Sequence, residues 1–200
     1  MTNDFNKLIL TDCDGVLLNW EYAFHVWMES YKGYKKFSGD NGLHYDMTKI
    51  YPVTRTEIKA LIKEFNNSAA IGFLPALRDS IYYIKKLHEE YGYVFHVITS
   101  LSTEPAAGKL RTQNLEKIFG NTVFQEYTFL DTGEDKHAPL EQYRDTGLYF
   151  IEDKLENAEL GVEFGLNSLL VEHGHNMNNK NLPKFKNWKQ IFEHIVEENA

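Results

Sequence analysis

The sequence has few of the features that mark secreted, membrane or nucleic-acid-binding proteins. Its single cysteine among 200 residues rules out an internal disulfide, and we expect a reducing compartment. No apolar run approaches the roughly 18 residues of a membrane-spanning helix, and none near the N-terminus has the length of a signal peptide. The net charge of −8 disfavours a broad electrostatic grip on nucleic acid. We therefore expect a cytoplasmic protein with no membrane segment and no nucleic-acid partner.

The remaining composition is that of a globular domain. Apolar residues make up 42% of the chain and charged residues 25%, and the length suits one domain or one domain with an insertion. Short apolar segments alternate with stretches of helical periodicity, one of which is predicted to begin at Pro75. The segments are residues 8–11, 94–98, 127–130, 148–151 and 168–171. This alternation predicts an α/β fold with a Rossmann-like parallel sheet and helices on both faces.

A second pattern interrupts the alternation after the first predicted strand. Residues 20–71 are rich in aromatic side chains and contain a capping box, in which Thr54 and Glu57 begin a helix. We interpret this segment as a small helical cap that is inserted into a core of residues 1–19 and 72–200.

Polar side chains follow the predicted strands where each strand ends. Asp12 and Asp14 come directly after the first strand and are followed by a glycine. The others are Thr99, Ser100, Lys136, Glu152 and Asp153. Because the carboxyl ends of parallel strands meet at one edge of a sheet, we expect all of them to converge there. Alone, the Asp-x-Asp-Gly stretch is equally compatible with a strand that ends in an Asp-Gly turn.

The converging groups have the chemistry of phosphoryl transfer. An aspartate such as Asp12 can attack phosphorus, and Asp14 can protonate the leaving group and then deprotonate water. A hydroxyl such as Thr99 can hold a phosphoryl oxygen, while Lys136 neutralises charge. Asp153 can complete a Mg²⁺ site with Asp12, since Mg²⁺ prefers oxygen ligands.

These residues resemble the motifs of the haloacid dehalogenase-like superfamily over nearly the whole chain. The matching motifs are Asp12-x-Asp14-Gly15-Val16, Val97-Ile98-Thr99-Ser100, Lys136 and Ile151-Glu152-Asp153. The resemblance implies a helical cap over the site, with Asp12 as nucleophile and Asp14 as general acid and base. It further implies phosphate binding by Thr99, Ser100 and Lys136, and a Mg²⁺ site built on Asp12, Asp14 and Asp153.

The fourth motif departs from the superfamily pattern. Glu152 stands where many members have an aspartate or a glycine. We interpret Asp153 as the direct metal ligand, with Glu152 behind it on Lys136 or on the water shell of the metal. The choice between the two carboxylates stays open.

The C-terminal part is similar to that of the 5′(3′)-deoxyribonucleotidases. The similarity rests on Phe150-Ile151-Glu152-Asp153-Lys154, His175-Asn176, Leu182-Pro183 and Asn187-Trp188-Lys189-Gln190-Ile191. It implies that the substrate is a nucleoside monophosphate whose base stacks on cap aromatics. Trp20, Phe24 and Trp27 are the candidates, with Tyr22 beside them, although each is also an ordinary residue for a helix core.

Other functions remain compatible with the sequence. The same chemistry suits a phosphatase for a sugar phosphate or phosphoserine, or a phosphomutase. A non-catalytic nucleotide-binding module is a further alternative, disfavoured by the intact pair of aspartates, and a homodimer is left open.

Several residues near the motifs receive ordinary structural interpretations. We expect His173 and His175 to lie in a loop near the substrate rather than to bind a metal as a pair. Lys109 and Arg111 follow the second strand and could reach a phosphate, but we interpret them as solvated charges on a helix. Cys13 is expected to point away from the two aspartates because side chains alternate along an extended segment.

Overall fold

A computed structural model describes residues 7–39 and 43–198, so residues 40–42 of the predicted cap and both chain ends lie outside the described residues. At its centre lies a six-stranded sheet in the order β3-β2-β1-β4-β5-β6, and every pair of neighbouring strands is parallel. The strands are β1 (Leu8–Thr11), β2 (Val94–Ser100), β3 (Phe124–Leu130), β4 (Tyr149–Glu152), β5 (Asn167–Val171) and β6 (Lys184–Phe185). The sheet confirms the predicted α/β fold and adds β6 to the five expected strands.

Helices connect the strands and cover the sheet. They are α1 (Trp20–Val26), α2 (Arg55–Asn66), α3 (Ser80–Tyr91), α4 (Pro105–Phe119), α5 (His137–Leu140), α6 (Leu155–Glu163) and α7 (Trp188–Glu198). A π-helical turn, Trp27–Tyr31, continues α1. Among the described residues, no helix has the length and apolar character needed to cross a membrane.

The central strands are buried on both faces, which explains why their sequences are continuously apolar. Ile9 packs into one hydrophobic cluster, with α3, α4 and α7. Leu8 and Leu10 point to the opposite face and pack with Leu140 of α5 and with Phe164, which follows α6. Alternate residues of one strand therefore serve two separate layers.

The register of the central strands places the first aspartate. Thr11 pairs with Val97 of β2 and with Ile151 of β4. The next residue, Asp12, continues the ladder, since its N–H donates to the Ile151 carbonyl at 2.9 Å. Asp12 therefore emerges at the carboxyl edge between the ends of β2 and β4.

Helix α3 begins later than predicted, at Ser80 rather than at Pro75. The segment before it is held by the loop after Asp14: the Leu77 N–H donates to the Leu17 carbonyl at 2.9 Å, and Ala76 bridges Leu18. Arg78 then takes a positive φ of 48°, which turns the chain into the helix. These tertiary hydrogen bonds replace the first helical turn.

The predicted cap segment is helical, without a strand among its described residues. Its α2 carries the predicted capping box: the Glu57 N–H donates to Thr54 Oγ1 at 3.2 Å, and the Thr54 N–H to Glu57 Oε2 at 2.8 Å. Apolar residues of this segment and of one sheet face form a single buried cluster. The division of the chain into core and cap therefore stays a prediction.

Candidate active site

A cavity of about 590 Å³ opens at the carboxyl edge of the sheet, with α2 forming part of its wall. Its lining includes every polar residue that the sequence placed at a strand end. These are Asp12, Asp14, Thr99, Ser100, Lys136, Glu152 and Asp153. Residues more than a hundred positions apart therefore share one site, as the parallel sheet requires.

Lys136 is the buried cation of the site. Its ammonium donates to Asp12 Oδ1 at 2.6 Å and to Glu152 Oε1 at 2.5 Å. Burial opposes the charged form, but attraction to the two carboxylates outweighs it and raises the pKa of Lys136. For Asp12, burial raises the pKa to about 7, with Glu152 and Asp14 adding to the shift and Lys136 opposing it. The ammonium thus stays charged between two carboxylates.

Three carboxylates could hold a metal ion. Asp12, Glu152 and Asp153 each offer an oxygen, and these oxygens lie within 4.8 Å of one another; they form the one such group among the described residues. Burial and then the Glu152 charge raise the pKa of Asp153 well above its ordinary value. The predicted third carboxylate, Asp14, is not part of the group, because its side chain turns to a different partner.

Both carboxylate oxygens of Glu152 accept hydrogen bonds from the protein. Its Oε2 accepts the N–H groups of Asp153 and Lys154 at 2.9 Å each. Its Oε1 accepts Asn157 Nδ2 at 2.9 Å as well as the Lys136 ammonium. Within the described residues the Asp153 carboxylate accepts no such bond and lies 3.8 Å from the His175 ring. Asp153 is therefore the freer of the two to bind a cation.

The partner of Asp14 is Arg111 of α4. The fully buried Arg111 side chain donates from one terminal nitrogen to Asp14 Oδ1 and to Cys13 Sγ, the latter at 2.9 Å. The interpretation of Arg111 as a solvated charge is wrong. A sequence signal did exist, since Arg111 lies four residues after Ala107 and four before Leu115, on the buried face of α4.

The two hydroxyl residues at the end of β2 differ in their surroundings. Thr99 is buried on the cavity wall. The Ser100 hydroxyl donates to the Glu134 carbonyl at 2.6 Å. Its proton is therefore not available to a ligand. Thr99 is the better placed of the two to hold an oxygen of a ligand.

The aromatic residues of α1 do not all face the cavity. Trp20 does, and its indole N–H donates to Asn66 Oδ1 at 2.9 Å. Phe24 stacks beneath the Trp20 ring at 4.7 Å, and both Phe24 and Trp27 pack on Phe65 inside the helical segment. Neither Phe24 nor Trp27 lines the cavity, so the prediction that they contact substrate is wrong: they support Trp20 from behind.

The loop after β5 hydrogen-bonds to the loops that follow β1 and β4. His173 Nε2 donates to the Gly15 carbonyl at 2.7 Å, while His175 Nε2 donates to the Asp153 carbonyl at 3.2 Å. Asn176 Nδ2 donates to that same Asp153 carbonyl at 2.8 Å. Burial lowers the pKa of both histidines, that of His173 to about 4. Both imidazoles line the cavity as expected, and each donates a ring N–H to a backbone carbonyl.

No protein-family model and no curated protein matches the sequence, but solved structures match the fold. The D,D-heptose 1,7-bisphosphate phosphatase of B. bronchiseptica, complexed with magnesium and phosphate, is 14% identical, with a TM-score of 0.58 over 96% of this chain and 99% of that chain. A haloacid dehalogenase-like hydrolase of Streptococcus pneumoniae is 12% identical, with a TM-score of 0.63 over 94% and 98%. The chain has the fold of the haloacid dehalogenase-like hydrolases.

A third solved structure matches the fold over a similar share of the chain. A hydrolase of the same superfamily from Deinococcus radiodurans, with bound phosphate and sodium, is 15% identical, with a TM-score of 0.58 over 96% of both chains. In this chain, the polar residues of the four sequence motifs all line one cavity of that fold. The finer similarity to deoxyribonucleotidases stays a prediction.

Proposed function

We propose that the protein is a Mg²⁺-dependent phosphomonoesterase that acts through an aspartyl-phosphate on Asp12. One observation carries the proposal: the buried Lys136 ammonium holds the Asp12 carboxylate at 2.6 Å on the cavity wall, with Asp14 two residues further on. Positioning and charge neutralisation are what phosphoryl transfer chiefly demands of a protein.

The acidic group suits Mg²⁺. When Asp12, Glu152 and Asp153 are all ionised, three negative charges face the one buried ammonium of Lys136. A divalent cation would balance the excess, and its preference for oxygen ligands matches the donors. Asp12 and Asp153 would hold the ion, since Glu152 is committed to protein donors. When bound, Mg²⁺ would neutralise negative charge on the phosphoryl oxygens.

The protein groups account for both halves of the reaction. Asp12 attacks phosphorus while the ester bond to the leaving oxygen breaks, and Asp14 gives that oxygen a proton. Asp14 then takes a proton from water, which attacks phosphorus and breaks the bond to Asp12. Inorganic phosphate leaves and both carboxylates return to their starting forms. Lys136 and Thr99 hold phosphoryl oxygens throughout.

We infer that the substrate is a small phosphate ester, and specifically a nucleoside monophosphate. The similarity to deoxyribonucleotidases in the C-terminal part supports this, as do the flat rings of Trp20, Tyr45 and His175 on the wall of a cavity of about 590 Å³. A planar base could stack on such rings.

A substrate panel tests the proposal. With Mg²⁺ present, we expect release of inorganic phosphate from dUMP and dTMP to exceed release from phosphoserine and sugar phosphates. The Asp12→Asn variant should fall to background on every substrate, including p-nitrophenyl phosphate. Asp135→Asn is the matched control, because Asp135 is exposed and does not line the cavity.

The panel separates the alternatives. Preference for a sugar phosphate or phosphoserine would keep the chemistry and change the substrate. Transfer of the phosphoryl group without release of inorganic phosphate would indicate a mutase. Equal inactivity of wild type and Asp12→Asn across the panel would contradict the proposal.

A further inference from the structure

The surroundings of Arg111 are energetically unfavourable for a charged side chain. Its side chain is fully buried, yet two of its nitrogens, Nε and one terminal nitrogen, have no hydrogen-bond partner among the described residues. Burying a guanidinium and leaving donors unpaired both oppose folding. For stability alone, a pair of apolar side chains of similar volume in place of Arg111 and Asp14 would often serve at least as well.

The one carboxylate that Arg111 contacts is that of Asp14. Its other partner is the sulfur of Cys13, at 2.9 Å, which is not a carboxylate. The ion pair with Asp14 joins residues 97 positions apart and is the only charge compensation that the guanidinium receives within the described part of the chain. The presence of Arg111 is therefore explained by Asp14.

The pair has a definite geometry with respect to the cavity. Asp14 lines the cavity and its side chain is 21% exposed, whereas Arg111 is not on the cavity wall. Arg111 holds Oδ1 of Asp14 from the interior side, which leaves Oδ2 as the oxygen free to exchange a proton. An arginine suits this task because it stays charged and presents its donors in a rigid plane.

We propose that Arg111 is a positioning residue that fixes the rotamer of Asp14, so that one carboxylate oxygen faces first the leaving group and then the attacking water. This inference rests on the proposed function. It predicts that Arg111 matters only for the steps in which Asp14 moves a proton, and not for the attack by Asp12.

The dependence on the leaving group tests this role. An alkyl phosphate, such as the preferred nucleotide of the panel, needs a proton on its leaving oxygen, whereas p-nitrophenolate leaves without one. For Arg111→Met we expect kcat/KM to fall about 100-fold with the alkyl phosphate, within the range of general acid catalysis. With p-nitrophenyl phosphate, kcat/KM should change by less than about threefold while aspartyl-phosphate accumulates as a burst, since hydrolysis still needs Asp14 as a base.

Matched variants separate positioning from folding. Lys109→Met removes an exposed cation from the same helix and should leave both substrates unaffected. Arg111→Lys keeps the charge without the planar donors and should fall between wild type and Arg111→Met; it also carries the test if Arg111→Met does not fold. In an Asp14→Asn background, removal of Arg111 should cost no further activity.

Each outcome is decisive. Equal losses on both substrates, or a loss that persists in the Asp14→Asn background, would overturn the inference while leaving the proposed function in place. A wild type that is inactive on the whole panel would overturn the proposed function, and this inference with it.

Discussion

Gly15 shows how closely the backbone of the loop after β1 approaches Asp153 of the fourth motif. Its φ is +79°, and a Cβ built on it would lie 2.8 Å from Cγ of the Asp153 carboxylate. Any other residue would bear left-handed strain and would also displace a proposed metal ligand. The glycine is needed here for space as well as for conformation.

The two requirements can be separated by experiment. Gly15→Ala and Gly33→Ala should each lose about 1–2 kcal/mol of unfolding free energy from the positive φ, measured by urea denaturation. Gly33 has a φ of +76° but no atom within 4 Å of its built Cβ. Only Gly15→Ala should also weaken Mg²⁺ binding, by about tenfold or more in calorimetric titration. Equal Mg²⁺ affinities would show that Asp153 does not need the space.

At the level of elements, a buried side chain at the C-terminal end of α2 hydrogen-bonds to the loops of the core. Asn66 Nδ2 donates to the Leu101 carbonyl at 3.0 Å and to Thr132 Oγ1 at 3.3 Å, on the loops after β2 and β3. Asn66 Oδ1 accepts the Trp20 indole N–H. The same residue thus fixes α2 over the cavity and orients the aromatic wall.

Removing this attachment should affect stability and substrate binding together. In Asn66→Ala the Leu101 carbonyl and the Trp20 N–H lose a buried partner, so we expect a loss of about 2 kcal/mol in unfolding free energy. KM for the nucleotide should rise, because Trp20 is no longer oriented by Asn66. In contrast, kcat for p-nitrophenyl phosphate should not change.

A control on the outer surface of α2 distinguishes docking from helix stability. Lys32→Gln breaks the exposed ion pair with Glu64 and should cost less than about 1 kcal/mol, without changing KM. An Asn66→Ala variant that loses stability but keeps its KM for the nucleotide would show that Trp20 does not bind the base.

At the level of the whole molecule, the buried titratable groups make stability depend on pH in opposing ways. The pKa of Asp12 is raised to about 7, chiefly by burial; without Mg²⁺ the folded state binds its proton more tightly, so this contribution is lost as pH rises from about 4 to 7. The pKa of His173 is lowered to about 4, chiefly by burial. Below pH 6.5 the unfolded state therefore takes up that proton first, and stability is lost as pH falls.

The histidine contribution can be isolated by difference. With a metal chelator present, the unfolding free energy of wild type relative to that of His173→Gln should fall by about 2 kcal/mol when the pH is lowered from 7 to 5. Urea denaturation at each pH gives the two curves, and the Asp12 contribution cancels between them. Parallel curves would mean that His173 titrates normally in the folded protein.

Much of the site was predictable because the relevant patterns are local. Asp12 and Asp14 follow an apolar run that predicts a buried strand. Because parallel strands end at one edge of the sheet, convergence with Thr99, Lys136 and Asp153 followed from the order of elements. The capping box of α2 was predictable for the same reason, since Thr54 and Glu57 hydrogen-bond within one turn.

The tertiary structure decided what depends on partners distant in sequence. Local pattern says that a side chain can be buried, but not what it meets: Arg111 is buried only because Asp14, 97 residues away, compensates its charge. Phe24 and Trp27 turn inward because Phe65 of α2 packs on them, which leaves Trp20 for the cavity. The chain sequence by itself determined which chemistry gathers at the sheet edge; three-dimensional packing decided which side chains face the cavity and which hold them there.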